Sequence, residues 1–310
     1  MFMDIPADSM HSTRKERKER NVVSIISKLK PQMSRVVQES KKNKLLKALT
    51  LVGCFSTGII YSSIGTIAIL SFLKLKQGGA DESSFFVLLN GFTAGRILNW
   101  LIILGALCFI IWRFYEAFKD PNHIGKDTKA ILLRTGIAFS SAADTFIVLS
   151  VLRAIFDQHK APVTGEPTQQ KDMVARLLHF HWGQIAVLII GAIVLITAVV
   201  LVLYGLSKSF TEAINTDDFS ERQTRVVHAI AYAGYFSRGV ILLITGFFFV
   251  KSAVKNNSTY IVNTDKAFDF IGDHIGHPWF ILVALGTILY GVYMFILGLH
   301  YDITGAKRRK

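Results

Sequence analysis

The sequence predicts an all-α integral membrane bundle of six transmembrane helices, arranged as three parallel two-helix repeats. Three observations carry that expectation. Apolar runs of about twenty residues, the length that spans a hydrocarbon core as a helix, recur after a polar N-terminal segment. Positive charge alternates between the segments that connect those runs. The chain also aligns with itself, without a gap, after a shift of 181 residues.

The spans are read at 48–72, 97–115, 131–152, 183–206, 228–250 and 278–299. Residues 1–44 form a basic tail, 45–122, 129–215 and 224–302 form the repeats, and 303–310 form a second basic end. The tail lacks the short apolar core of a secretory signal, so the first span is expected to act as its own uncleaved signal. Turn-forming Asp120-Pro121-Asn122 and Asn215-Thr216-Asp217-Asp218 punctuate two of the connections.

Charge sets the expected orientation. Lys and Arg number 12 in residues 1–47, 5 in 113–134, 3 in 207–226 and 4 in 300–310. The alternate segments 73–96, 153–182 and 251–277 hold only 3, 4 and 3. The richer side belongs in the cytoplasm. Both termini are therefore expected inside, as an even number of spans requires. The net charge of +13 is explained by this bias, which removes nucleic acid as a partner. The expected partners are the bilayer itself and a membrane protein or second copy within it. Val22, Ile25, Ile26 and Leu29 recur at helical spacing among basic residues, a pattern suited to anionic headgroups.

The 181-residue shift pairs Gly53 with Gly234, Gly58 with Gly239, Gly65 with Gly246, Gly91 with Gly272, Gly95 with Gly276 and Gly105 with Gly286. Phe55, Ser56 and Ile60 meet Phe236, Ser237 and Ile241 in the same register. Phe139-Ser140-Ser141-Ala142 and Gly183 mark a more divergent middle copy, which ends in Tyr204-Gly205. All three copies enter from one side and return to it, so an axis along the membrane normal should relate them. The glycines at 53, 58, 65, 95, 105, 234, 239, 246, 276 and 286 are read as helix-packing positions, because helices in lipid associate through close backbone approach. Gly58, Ser62 and Thr66, four apart, are read as one such face.

These residues also resemble a known family. Gly-x-Phe-Ser-x-Gly opens two first helices, and Gly95-Arg96-x-Leu98 opens a second helix. Trp112-Arg113-x-x-Glu116-Ala117-x-x-Asp120-Pro121 closes that helix, and Gly276-x-Pro278-Trp279 with Tyr290-Gly291-Val292-Tyr293 mark the last. The pattern, over about residues 45–302, is similar to the bacterial family called domain of unknown function 1206. The resemblance implies a bacterial cytoplasmic-membrane protein of three two-helix repeats, and it implies no activity. That family's arginine before the first-helix glycine is kept only at Arg238, with Thr57 and Ser141 in the other copies.

Charged groups inside spans default to functional candidates. Asp144 and Arg238 lie at similar depth and are expected to point inward and pair. Such a pair would serve a small-solute, ion or proton transporter, or fix how the repeats dock. Arg113 and Glu116, three apart, read as an ion pair at the helix boundary. His179, His181, His274 and His277 occupy matching places before two helices, but their spacing fits no established metal motif, so no metal is assigned. Cys54 and Cys108 read as packing residues. No phosphate-binding glycine loop, nucleophile elbow or zinc-protease motif is present, so no cofactor and no enzymatic activity are expected. Phe85–Leu89 and Phe268–Ile271, at matching positions, read as interfacial or shallow re-entrant helices tucked over the bundle. The functional expectation is a structural or interaction subunit of the cytoplasmic membrane.

Overall fold

The computed structural model describes residues 47–74, 80, 82–91, 93–119, 131, 134, 135, 138, 141, 145, 148, 166–207, 214 and 219–301. The expected basic tail, Asp144 and most of the span at 131–152 lie outside these residues. The described residues from Ala48 onward belong to one compact unit.

Among the described residues the chain is all-α, with five helices long and apolar enough to cross a membrane. They are α1 (Lys47–Phe72), α3 (Thr93–Lys119, apolar to Tyr115), α5 (Gly183–Leu206), α6 (Glu221–Lys255) and α8 (His277–His300). Three shorter helices, α2 (Glu82–Asn90), α4 (Thr168–Leu178) and α7 (Thr264–Phe270), lie in the connections at one end, called here the cap. Between α3 and α4 the described positions Ile131, Arg134, Thr135, Ala138, Ser141, Thr145 and Val148 are all helical.

Helix ends follow local chemistry. Ser220 and Gln223 form a reciprocal capping box at the start of α6, and Asn256 ends it in the left-handed conformation. α6 is expected at 228–250 but runs well beyond both limits. Its added turns carry Arg222, Arg225 and Lys255, charged residues suited to polar surroundings. α8 is entered through a π-helical turn, Ile271–Ile275, and Gly276 at φ 121°. Gly276 therefore serves backbone conformation rather than helix packing, since the nearest atom to an added Cβ would be Pro278 Cδ at 3.8 Å. Pro278 in the first turn costs no helical hydrogen bond.

Glycines set how the spans meet. Gly53 lies against Phe109 of α3, and Gly234 lies against Tyr290 of α8, where an added Cβ would stand 2.7 Å from Tyr290 Cα. Gly105 lies on Ser56, and Gly286 lies on Ser237. Both of these glycine contacts of the α1–α3 pair thus recur in the α6–α8 pair 181 positions later. A second recurrence joins one pair to the next. Gly58 and Gly65 of α1 meet Gly291, Phe295, Ala284 and Ile288 of α8, whereas Gly239 and Gly246 of α6 meet Ala198, Val202 and Leu195 of α5. Gly298 against Cys54 and Leu51 O likewise matches Gly205 against Tyr235 and Tyr232 O.

The sequence places Thr66 on the same face as Gly58, but Thr66 is exposed and its hydroxyl donates back to Ser62 O. Seven residues return to within about 20° of the starting direction on a helix, whereas eight overshoot by about 80°. Gly65 therefore occupies the contact. Gly91 and Gly272, although paired in register, meet only Leu88 O at 3.3 Å and Phe280 at 3.5 Å.

The main apolar core lies toward the cap. Phe85, Phe86 and Leu89 of α2, with Phe268 and Ile271, are buried against Ile64, Ile102, Ile244 and Val283 of the spans. A smaller cluster of Val174, Val187, Ala253 and Ile261 joins α4 to α5 and α6. Buried Asn99 donates to Phe86 O at 2.8 Å and fixes α2 on α3.

A methyl group at Gly234 meets backbone, which cannot rotate away, so Gly234→Ala should destabilise the protein by about 1–3 kcal/mol. Gly272→Ala should change stability by less than about 0.5 kcal/mol. Unfolding of both variants in one detergent checks the contrast.

Candidate functional site

Arg238 is the sequence-predicted site residue that the structure places most definitely. It lies midway along α6 and is 6% exposed. Gly234, one turn earlier, brings Tyr290 of α8 against α6, and Gly58 holds α1 against α8. These two contacts deliver a tyrosine from each neighbour. The Arg238 guanidinium carbon stands 4.2 Å from the ring centre of Tyr61 and 5.0 Å from that of Tyr290. The two rings meet edge to face at 5.1 Å.

The aromatic cluster continues inward. Tyr235 contacts Tyr290 at 5.5 Å, Tyr293 at 5.3 Å and Tyr204 at 5.0 Å between ring centres. An arginine is costly inside a bilayer. Ring faces carry negative charge density, and a desolvated cation over one gains about 2 kcal/mol or more. The cluster therefore accommodates a cation where water is scarce. Thr57 and Ser141, aligned in register with Arg238, are also buried. Sequence reading marked Tyr290 and Tyr204 only as repeat landmarks. Their spacing along separate helices does not reveal that they converge.

The other sequence-predicted residues are placed as follows. The Arg113 guanidinium carbon is 5.6 Å from the ring centre of Phe109, while the Glu116 side chain lies outside the described residues, as does Asp144. Cys54 is buried and Cys108 half-buried, and neither forms a disulfide among the described residues. His274 stacks on Phe270, and His277 meets Phe72 edge to face. Among the described residues no group of three or more His, Cys, Asp or Glu side chains is placed to hold a metal ion.

The cap carries a polar network of its own. The Asp265 carboxylate accepts from Ala80 N–H, tying the first cap connection to the last. Lys266 reaches Glu166 at 3.4 Å and Asp269 at 3.0 Å, and Glu166 accepts from Lys171 at 3.0 Å. The hydrogen bond from Lys171, aided by the charges of Lys171 and Lys266, holds the Glu166 carboxyl below its ordinary range despite some burial. Burial pulls the Lys266 amine down, but hydrogen bonds and charge from Asp269 and Glu166 outweigh it and hold the amine above its usual value. These partly exposed pairs fix geometry more than they stabilise it.

Fold and site together define a multi-pass membrane protein built from glycine-packed helix pairs around a buried arginine. The family described as Domain of Unknown Function (DUF1206) matches twice, over residues 52–120 and 233–300, and the chain carries that family's pattern in both regions. The matches fall on the α1–α3 and α6–α8 pairs. A Bacillus subtilis (strain 168) relative, "Uncharacterized protein YxxB", is 26% identical over 279 residues, covering 89% of this chain and 98% of its own. No solved structure matches the chain.

If the rings stabilise the cation, Tyr61→Leu should cost more in the native protein than in an Arg238→Gln background. A double-mutant cycle on unfolding is expected to give a coupling of about 1 kcal/mol. A coupling indistinguishable from zero would show that the rings act only as packing.

Proposed function

We propose that this chain is a structural or interaction subunit of the bacterial cytoplasmic membrane, with six spans in three parallel repeats and both termini cytoplasmic. The observation that carries the reading is the recurrence of helix contacts. Each described first helix packs on its own partner and on the second helix of a neighbouring pair, in one register throughout. Three repeats joined head to tail in this way would close into a ring about an axis along the membrane normal, given a rotation of about a third of a turn per repeat. The remaining junction would bring the span at 131–152 against α3. Two hydrogen bonds support that placement, from Arg134 to Ala117 O at 2.8 Å and to Phe118 O at 3.0 Å.

A ring of helices in backbone contact, with a buried cation covered by tyrosine faces, suits a rigid scaffold, and no reaction is assigned to it. The charge bias of the loops supports the orientation. A second reading, a small-solute, ion or proton transporter using Asp144 and Arg238, draws on the burial of Arg238 within its span.

Native mass spectrometry after mild extraction from the membrane separates the two. The scaffold reading expects a protein partner or a further copy at fixed stoichiometry. A lone chain holding a defined solute or ion, with loss of that species in Asp144→Asn, would overturn it in favour of transport.

A further inference from the structure

Three tryptophans sit at the cap end of three different spans, and each is about half exposed. Trp182 is the residue before α5, Trp279 is in the first turn of α8, and Trp100 is in the second turn of α3. Their exposures are 59%, 53% and 49%. Counted from Gly95, Gly183 and Gly276, which the repeat register aligns, they fall within six positions of one another, about 9 Å of helix rise. Phe180 stacks on Trp182 at 5.7 Å and is itself 57% exposed.

We infer that these indoles form a girdle that binds phospholipid at the headgroup–glycerol level on the cap side of the membrane. An indole is a large apolar ring with one N–H donor, so it is best satisfied where acyl chain meets ester carbonyl and phosphate. The helical residues beyond the tryptophans support that level. Below Trp182 and Trp279, α5 and α8 contain no Asp, Glu, Lys or Arg, and they expose aliphatic side chains such as Ile189, Ile196, Leu282 and Leu285. From Trp279 to His300 the helix rises about 32 Å, close to the thickness of a hydrocarbon core. A single exposed tryptophan would mark no level in the membrane. One on each of three spans, near one height, does.

The girdle fixes the depth of the whole molecule. Glu166, Lys171, Lys266 and Asp269, in the cap connections beyond it, then lie in the headgroup or aqueous layer, where an ion-pair network is tolerated. The short helices α2, α4 and α7 become interfacial elements rather than re-entrant ones.

The test uses the full chain in phosphatidylcholine vesicles whose acyl chains carry bromine either near the carbonyl end or near the methyl end. Three variants each keep one of Trp100, Trp182 and Trp279 as the sole indole, the other tryptophans being replaced by Phe. The expected result is a larger loss of fluorescence with the carbonyl-end bromine for all three. Stronger quenching by methyl-end bromine would overturn the inference, as would no quenching by either, which would mean that protein or bulk water covers the rings. Should a triple replacement not yield monodisperse protein, Trp→Phe changes made singly measure the same depth from the quenching that each one removes.

Discussion

Helices already inside a bilayer gain little by hiding apolar side chains from lipid, so their association depends on how closely their backbones approach. In this protein the rest of the structure depends on that approach at glycine. The atoms opposite Gly65 and Gly234 include Ala284 O and Tyr290 Cα, both at 2.7 Å from an added Cβ. Backbone atoms of this kind cannot swing aside as a side-chain end could. One methyl group at either place would separate two helices along their length, and dispersion contacts weaken quickly with separation. The same geometry is used inside the helix pairs and between them, which lets a repeated sequence build a repeated interface.

The glycine contacts also create the environment of Arg238. Gly239 beside it draws α6 onto α5, Ser237 before it rests on Gly286, and Gly234 holds Tyr290 against the helix. Arg238 therefore has little freedom of position, and Tyr61 reaches it because Gly58 and Ser62 seat α1 on α8 at Gly291. A charged side chain that would be expensive in lipid is held by rings from two directions. Packing and electrostatics are coupled at this point. A change that loosens the helices exposes the cation as well.

Much of this was legible in the sequence. The span at 183–206 has the bounds expected from its unbroken apolar run, and the self-alignment located Gly53, Gly105, Gly234 and Gly286 before any contact was known. The apolar stretches at 85–89 and 268–271 were legible as short helices over the bundle, and Phe85, Phe86, Leu89, Phe268 and Ile271 are buried there. What was not legible depended on direction. Thr66 fits a four-residue spacing yet points away, because that spacing drifts around a helix. Gly276 aligns with a packing glycine but is required by its positive φ. The tyrosines around Arg238 come from four helices, and no local pattern announces their meeting. The Asp144 partnership and the full extent of the third span remain expectations from sequence, since Asp144 and most of that span lie outside the described residues.

A shared interface between neighbouring helix pairs rests most directly on two equivalent contacts, Gly298 against Cys54 and Gly205 against Tyr235. Cysteine cross-linking in membranes tests both, in a Cys108→Ser background. One protein carries Gly298→Cys opposite the native Cys54, and the other carries Gly205→Cys and Tyr235→Cys with Cys54→Ser. The Cβ positions lie at 2.9 and 3.1 Å, so a small outward shift brings each pair to the roughly 3.5–4.5 Å that a disulfide spans, and mild oxidation should close an intramolecular bond in each. Cross-linking in both is the predicted result. A link in one protein and none in the other would contradict a shared interface, and with it the ring proposed above.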